Sequence, residues 1–161
     1  MRLAYLNKYV LCSVLIFAPS VWAEPLIIKT YQTDKMHIFD VEVADTPEKS
    51  ERGLMFRSEI PHNEGMIFIE PKDKKWGMWM KNTYIPLDML FFMRNGQIVQ
   101  VVENAVPHDL TPLWSNTRVA GVLEIKGGTV EQLNIKTGDM LLSPQLKNMP
   151  DEMTGSLMGN L

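Results

Sequence analysis

Charged residues inside apolar runs are the first candidates for chemistry in this sequence. Asp88 lies in phase with apolar residues of a predicted strand, and Glu124 lies in a second apolar strand. A carboxylate in such a strand is expected to be desolvated and to need a partner. Arg52 ends a predicted helix beside the apolar residues 54–56, so we expect its guanidinium to pair with Asp88. The pair either pins the helix to the sheet or forms an anion-binding site, and the structural role is favoured.

Three consecutive polar residues between two predicted strands form a second candidate. Lys81, Asn82 and Thr83 are of the types that line ligand sites in loops, and equally of the types that build turns. The predicted ligand-binding set therefore consists of Arg52, Lys81, Asn82, Thr83, Asp88 and Glu124.

The two carboxylates also suit a different reading. Asp88 and Glu124 in one cleft would fit the general acid–base chemistry of a hydrolase, which is our second alternative. The sequence has no serine flanked by glycines at nucleophile-elbow spacing, no paired-histidine zinc motif and no glycine-rich phosphate loop. We therefore assign no catalytic residue and expect a non-enzymatic domain.

The methionines, twelve in all, suggest a metal site as the first alternative. Trp76, Met78 and Met80 alternate in a predicted strand and would project from one face. Thioethers bind Cu(I), and an indole ring can cap the ion. The same residues also fill hydrophobic cores, and this role is favoured. We therefore expect no cofactor, with copper as the alternative.

The N-terminus has the pattern of a secretory signal at residues 1–23. Two basic residues precede the apolar run 10–18, and small residues precede a cleavage point after Ala23. The run is shorter than the about 20 residues that span a bilayer. We expect a periplasmic or secreted protein with no stable membrane insertion after cleavage. The only cysteine, Cys12, would be removed, so the mature chain would have no thiol or disulfide.

Local patterns predict strands joined by turns, with two short helices. The first helix covers residues 47–52, with Thr46 as N-cap and Gly53 after its end, and the second covers about residues 130–134, with Thr129 as N-cap. Asn95-Gly96 is a strong hairpin signal. Strands are predicted at residues 25–31, 37–43, 66–69, 76–80, 87–93, 98–103, 119–125 and 140–143, with a charged surface loop at 71–75.

These elements predict one mainly β domain at residues 24–143. Its architecture is expected to be a β-sandwich or a small barrel with two short helices. The pattern ends at Ser143, so residues 144–161 are predicted to form a flexible tail.

Several motifs in one order resemble the bacterial and archaeal family called domain of unknown function 192. They are Arg52-Gly53-Leu54-Met55-Phe56-Arg57, Gly65-Met66-Ile67-Phe68, Trp79-Met80-Lys81-Asn82-Thr83, Ile85-Pro86-Leu87-Asp88, Asn95-Gly96, Val122-Leu123-Glu124, Gly127-Gly128 and Gly138-Asp139. The resemblance covers about residues 35–143. It implies a compact, mostly β and frequently exported domain without an established activity, so no catalytic residue carries over.

Composition limits the partners. The chain of 161 residues is long enough for one domain with a core, and its 16 basic residues against 19 acidic residues give a net charge of −3. A protein that binds nucleic acid through general electrostatics would have a basic excess. We therefore expect a small ligand or a protein as partner, and no nucleic acid.

Overall fold

The computed structural model describes residues 23–150 and residue 153, and a seven-stranded sheet dominates it. The strands are β1 (Ala23–Thr30), β2 (Lys35–Val43), β3 (Glu64–Lys74), β4 (Gly77–Met78), β5 (Leu87–Phe92), β6 (Ile98–Ala105), β7 (Leu113–Trp114), β8 (Val119–Lys126) and β9 (Met140–Leu142). The α-helices are α1 (Pro47–Arg52) and α2 (Thr129–Leu133), and a 3₁₀ turn follows at Pro144–Leu146. The predicted signal, up to residue 22, lies outside the described residues.

The sheet has the order β6-β5-β8-β3-β2-β1-β9, and β4 pairs separately with β7. Only β2 and β3 are parallel within the sheet, and α1 lies in their connection. The Asn95-Gly96 turn joins β5 to β6 as predicted, with Gly96 at a φ of 92°.

The sheet curls until its two edge strands meet. Gln97, just before β6, forms a β-bridge with Met140 of β9. The Ile98 N–H donates to the Asp139 carbonyl at 2.9 Å, and the Leu141 N–H donates to the Gly96 carbonyl at the same distance. The prediction of a mainly β domain with two short helices is confirmed. The curled seven-stranded sheet forms a half-barrel, which is closer to the predicted small barrel than to the predicted sandwich.

Two hydrophobic clusters lie on the two faces of the sheet. The inner cluster contains residues of all seven strands, whereas the outer cluster joins β3, β5, β6 and β8 to the segments that cover them. Every residue of β5 is consequently buried. The outer layer comes from residues 44–60, from residues 76–85 and from β7. This second layer positions the candidate site.

Two predicted elements differ from the structure. Residues 71–74 continue β3 instead of forming a loop, because a register shift after Ile69 lets Lys74 pair with Val119 of β8. The predicted strand at 76–80 is reduced to the two residues of β4, which pair only with β7. The chain then leaves the strand, and the Met80 N–H donates to the Asp109 carbonyl.

The helix boundaries follow the predicted signals more closely for α1 than for α2. Thr46 caps α1 as expected, since its Oγ1 accepts the Lys49 N–H at 3.2 Å. The predicted cap of α2 is wrong. Gly128 is the N-cap residue, and Thr129 is the first helical residue, with a buried Oγ1 that lacks a partner among the described residues.

The fold continues past Ser143, where the sequence pattern ends. Leu146 is buried in the inner cluster. The Asn148 side chain donates to the carbonyls of Asn95 and Leu141 and accepts the Ser143 N–H. Among the described residues, no helix is both long enough and apolar enough to cross a membrane.

Candidate functional site

Glu124 is a buried carboxyl group on β8, in the middle of the sheet. Its register partners are Met66 on β3 and Met89 on β5, so apolar side chains flank it on both sides. It is only 4% exposed, and no described residue forms a hydrogen bond with its carboxyl group. Burial raises the pKa of Glu124 to about 8. The group is therefore mainly protonated at neutral pH and can both donate and accept a hydrogen bond.

A small cavity of about 30 Å³ lies against Glu124. The end of α1 forms one wall through Arg52 and Gly53, and Thr83 and Trp79 form another. This volume holds one or two water molecules, or one polar group of a larger ligand.

Gly53 lines this cavity without a side chain. Its φ of 49° lies in the left-handed region that favours glycine. A Cβ atom at this position would lie 3.3 Å from Cζ of Phe68 and 3.9 Å from Oε2 of Glu124. The residue that ends α1 therefore also leaves space beside the carboxyl group.

Two larger cavities adjoin the first. One, of about 440 Å³, is lined by Trp76, Trp79 and Trp114, and the other, of about 290 Å³, lies along the Arg52 side of α1. Glu51 and Trp79 line all three cavities. We call this continuous depression between α1 and residues 76–83 the α1 groove. The larger cavity has the size of known small-molecule sites.

The groove brings together most of the predicted ligand-binding residues. Arg52, Thr83 and Glu124 line the smallest cavity, and Lys81 and Asn82 line the 290 Å³ cavity with Arg52. Asn82 adopts a left-handed φ of 54° in the turn that carries this segment. The three consecutive polar residues thus combine turn geometry with a position at the groove.

Asp88 lies elsewhere, and its predicted ion pair with Arg52 is wrong. Asp88 is completely buried, and its carboxylate accepts backbone N–H groups of Asn104 at 2.8 Å, Gly128 at 3.2 Å and Val130 at 2.8 Å. These three donors satisfy the charge without a guanidinium. Arg52 is exposed and forms no ion pair with any described residue.

The predicted carboxylate pair of a hydrolase is also not formed. In the pairing of β5 with β8, Met89 lies opposite Glu124, and Asp88 lies opposite Ile125. Neighbouring residues of a strand point to opposite faces, so Asp88 and Glu124 lie on opposite sides of the sheet.

The proposed copper ligands pack in the outer cluster. Trp76 and Met80 are 7% and 1% exposed, and Met78 is half-buried against the same cluster. Trp76 contacts Phe68 edge to face, with ring centroids 6.4 Å apart. No group of three or more His, Cys, Asp or Glu side chains suited to a metal occurs in the described part of the chain. Cu(I) binding by the sulfur atoms stays a prediction.

The aromatic lining of the groove was missed by sequence reasoning. Trp79 and Trp114 are 46% and 58% exposed, which is unusual for the largest apolar side chain. Trp79 stands within one of the family-like motifs, which was the available signal for it. Trp114 had no such signal, because its position depends on the pairing of β4 with β7.

The described residues form a small curled-sheet domain with a buried acid beneath an aromatic depression. Residues 28–142 match the model of DUF192, a family described as an uncharacterized ACR. The chain therefore belongs to the DUF192 family, as the motifs indicated.

Two solved structures resemble the chain over most of its length. A Sinorhizobium meliloti protein, for which a role as transcription regulator has been suggested, is 40% identical, with a TM-score of 0.73 over 76% of this chain and 94% of its own. A protein of unknown function from Novosphingobium aromaticivorans is 38% identical, with a TM-score of 0.71 over 74% of this chain and 84% of its own. No curated protein matches the chain.

Proposed function

We propose that this protein is an exported, non-enzymatic domain that binds a small polar ligand in the α1 groove. Glu124 would supply the hydrogen-bonding group at the base of the site. The observation that carries this proposal is a buried carboxyl group that has no hydrogen-bond partner among the described residues and lies beside a cavity that can admit one polar atom.

The energetic argument concerns the cost of an unpaired polar group. Leaving a buried polar group unsatisfied costs about 1–3 kcal/mol. The buried carboxylate of Asp88, on the adjacent strand, avoids this cost because it accepts hydrogen bonds from three backbone N–H groups. A hydrogen bond from a ligand to Glu124 would replace the hydration that this carboxyl group loses on burial. Binding sites commonly combine an apolar lining with a few convergent polar groups.

Acid–base catalysis by two carboxylates has no support from this arrangement. Asp88 faces the other side of the sheet, and its oxygens are engaged by backbone donors. The proposal therefore assigns Glu124 a binding role alone.

The proposed partner is a small molecule and not nucleic acid. The Sinorhizobium meliloti relative has a suggested role as a transcription regulator. In this chain acidic residues exceed basic ones, which disfavours attraction to a phosphate backbone. Export is proposed from the pattern of residues 1–23.

Mass spectrometry of protein recovered from the periplasm tests both the proposed export and the proposed ligand binding. Under denaturing conditions we expect a mass that begins at Glu24. Under native conditions we expect an additional small-molecule mass, lost in Glu124→Leu but retained in the matched variant Glu103→Leu, whose exposed side chain lies outside the groove.

Two results would contradict the proposal. A full-length mass confined to the membrane fraction would show that residues 1–23 act as an uncleaved membrane anchor and not as a cleaved export signal. A ligand mass that persists in Glu124→Leu, or no ligand mass in any of the three proteins, would remove Glu124 from the binding site.

A further inference from the structure

The strongest unassigned feature is the pair of exposed indole rings in the 440 Å³ cavity. Trp79 and Trp114 line it together, although they are 35 positions apart in the chain. Each ring offers a broad apolar surface to solvent, with little side-chain entropy to lose on binding. Trp76, in the same wall, has a buried indole N–H without a partner among the described residues.

Gly77 holds Trp114 in place. It pairs with Trp114 across β4 and β7, and a Cβ atom at position 77 would lie 2.8–3.0 Å from three atoms of the indole ring. The ring therefore rests directly on the glycine backbone. A larger residue at this position would displace Trp114 from the cavity wall.

The cations near these rings are already engaged. Lys75 donates to the carbonyls of Ser115 and Asn116. Lys74 pairs with Glu70 and lies 4.1 Å from the ring centroid of Trp76. These contacts reduce the attraction of the cavity for a free anion.

The remaining charges at the groove balance. Lys81 lies 5.1 Å from the ring centroid of Trp79. Arg52 and Lys81 bring two positive charges against the two negative charges of Glu48 and Glu51, and burial keeps Glu124 mainly protonated at neutral pH. The groove thus combines flat apolar surfaces with several hydrogen-bonding groups and little net charge.

We propose that the α1 groove binds a neutral saccharide, with a sugar ring against Trp79 and Trp114 and a polar substituent at Glu124. Sugar rings present apolar C–H faces, which pack on aromatic rings, and hydroxyl groups at their edges, which suit carboxyl and guanidinium partners. This inference rests on the proposed function and names the ligand class for the same site.

The test uses neutral tetrasaccharides and the purified mature protein. Tetra-N-acetylchitotetraose, cellotetraose and maltotetraose are titrated separately, with tryptophan fluorescence and saturation-transfer NMR as readouts. We expect at least one to bind with a Kd of millimolar or tighter. Trp79→Ala and Trp114→Ala should each weaken it by about tenfold, since each removes one stacking surface.

Two further variants separate ring loss from misfolding. Tyr31→Ala removes an exposed aromatic ring outside the groove and should leave the affinity unchanged. Gly77→Ala keeps every ring but displaces Trp114, so it should weaken binding while the circular dichroism spectrum stays that of the wild type.

The outcomes separate the two proposals. If none of the three saccharides binds at millimolar concentration while a Glu124-dependent ligand mass persists, the saccharide inference fails and the proposed function stands. If neither saccharide binding nor a Glu124-dependent ligand mass is observed, the saccharide inference and the proposed function both fail. Binding that Trp79→Ala, Trp114→Ala and Tyr31→Ala leave equally unchanged would also overturn the saccharide inference.

Discussion

Glu124 and Asp88 are carboxyl groups on adjacent strands, but their hydrogen-bonding environments differ. Asp88 receives three backbone donors, whereas Glu124 has methionine side chains on either side and no hydrogen bond from a described residue. The difference follows from the face of the sheet that each occupies. The inner face at Asp88 meets the start of α2, and the outer face at Glu124 meets an open groove.

The raised pKa of Glu124 predicts a pH-dependent stability. Its folded pKa of about 8 exceeds the ordinary glutamate value of 4.5, so between these pH values the folded state holds a proton that the unfolded state releases. The contribution is fully present below about pH 4.5 and is lost as the pH rises through 8. We expect the free energy of unfolding to fall by about 1.4 kcal/mol per pH unit within this window.

Urea unfolding at several pH values measures this slope. Glu124→Gln should reduce it and should be the more stable protein at pH 8, whereas the exposed control Glu103→Gln should follow the wild type. The other charged groups that line the cavity, Glu51 and Arg52, are unchanged in both variants. Identical slopes in all three proteins would contradict a buried Glu124.

At the level of elements, Asp88 joins three pieces of the fold. It accepts from Val130 at the first turn of α2, from Gly128 before it, and from Asn104 near the end of β6. Asn104 has a left-handed φ of 50°, in a stretch where the pairing of β5 with β6 shifts register. One carboxylate therefore both caps a helix that lacks a side-chain cap of its own and supports an irregular strand.

Removal of the Asp88 side chain should therefore destabilise the fold strongly, whereas removal of the Arg52 side chain should not. We expect Asp88→Ala to lower the free energy of unfolding by more than about 3 kcal/mol, because it leaves three backbone donors unpaired. Arg52→Ala, at an exposed position, should change it by less than about 0.5 kcal/mol. Denaturant unfolding of the two variants measures both changes. Comparable losses of stability in the two variants would support an ion pair between Arg52 and Asp88.

For the whole molecule, closure of the curled sheet depends on segments far apart in the chain. β9 meets the start of β6, and the turn after β9 returns Leu146 to the inner cluster. Asn148 then bonds to Asn95 and Leu141, which lie on the two sides of this junction. The end of the described chain thus fastens the two edges of the sheet together.

A pair of truncations tests this role. A chain ending after Ser143 loses Leu146 and Asn148 and should lose about 2–5 kcal/mol of stability, the range for deleting a buried leucine. A chain ending after Pro150 keeps both residues and should unfold at a higher denaturant concentration than the chain ending after Ser143. Equal midpoints for the two truncated chains would show that the fold ends at Ser143.

Local chemistry in the sequence determined the elements that depend on neighbouring residues. Thr46 and Gly53 delimit α1 because a cap and a left-handed residue act within one turn of helix. Asn95-Gly96 forms its hairpin for the same reason. Alternating apolar residues predicted most strands, and Glu124 stood out as a carboxylate in an apolar run.

Which of these residues meet depends on how the strands pair in the folded protein. The register of β5 against β8 placed Asp88 and Glu124 on opposite faces, and a one-residue shift would have reversed the result. The pairing of β4 with β7 brought Trp114 to Gly77 and completed the aromatic groove. Contacts of this kind join residues distant in the chain, so the energy that selects them comes from packing the whole sheet and not from any local pattern.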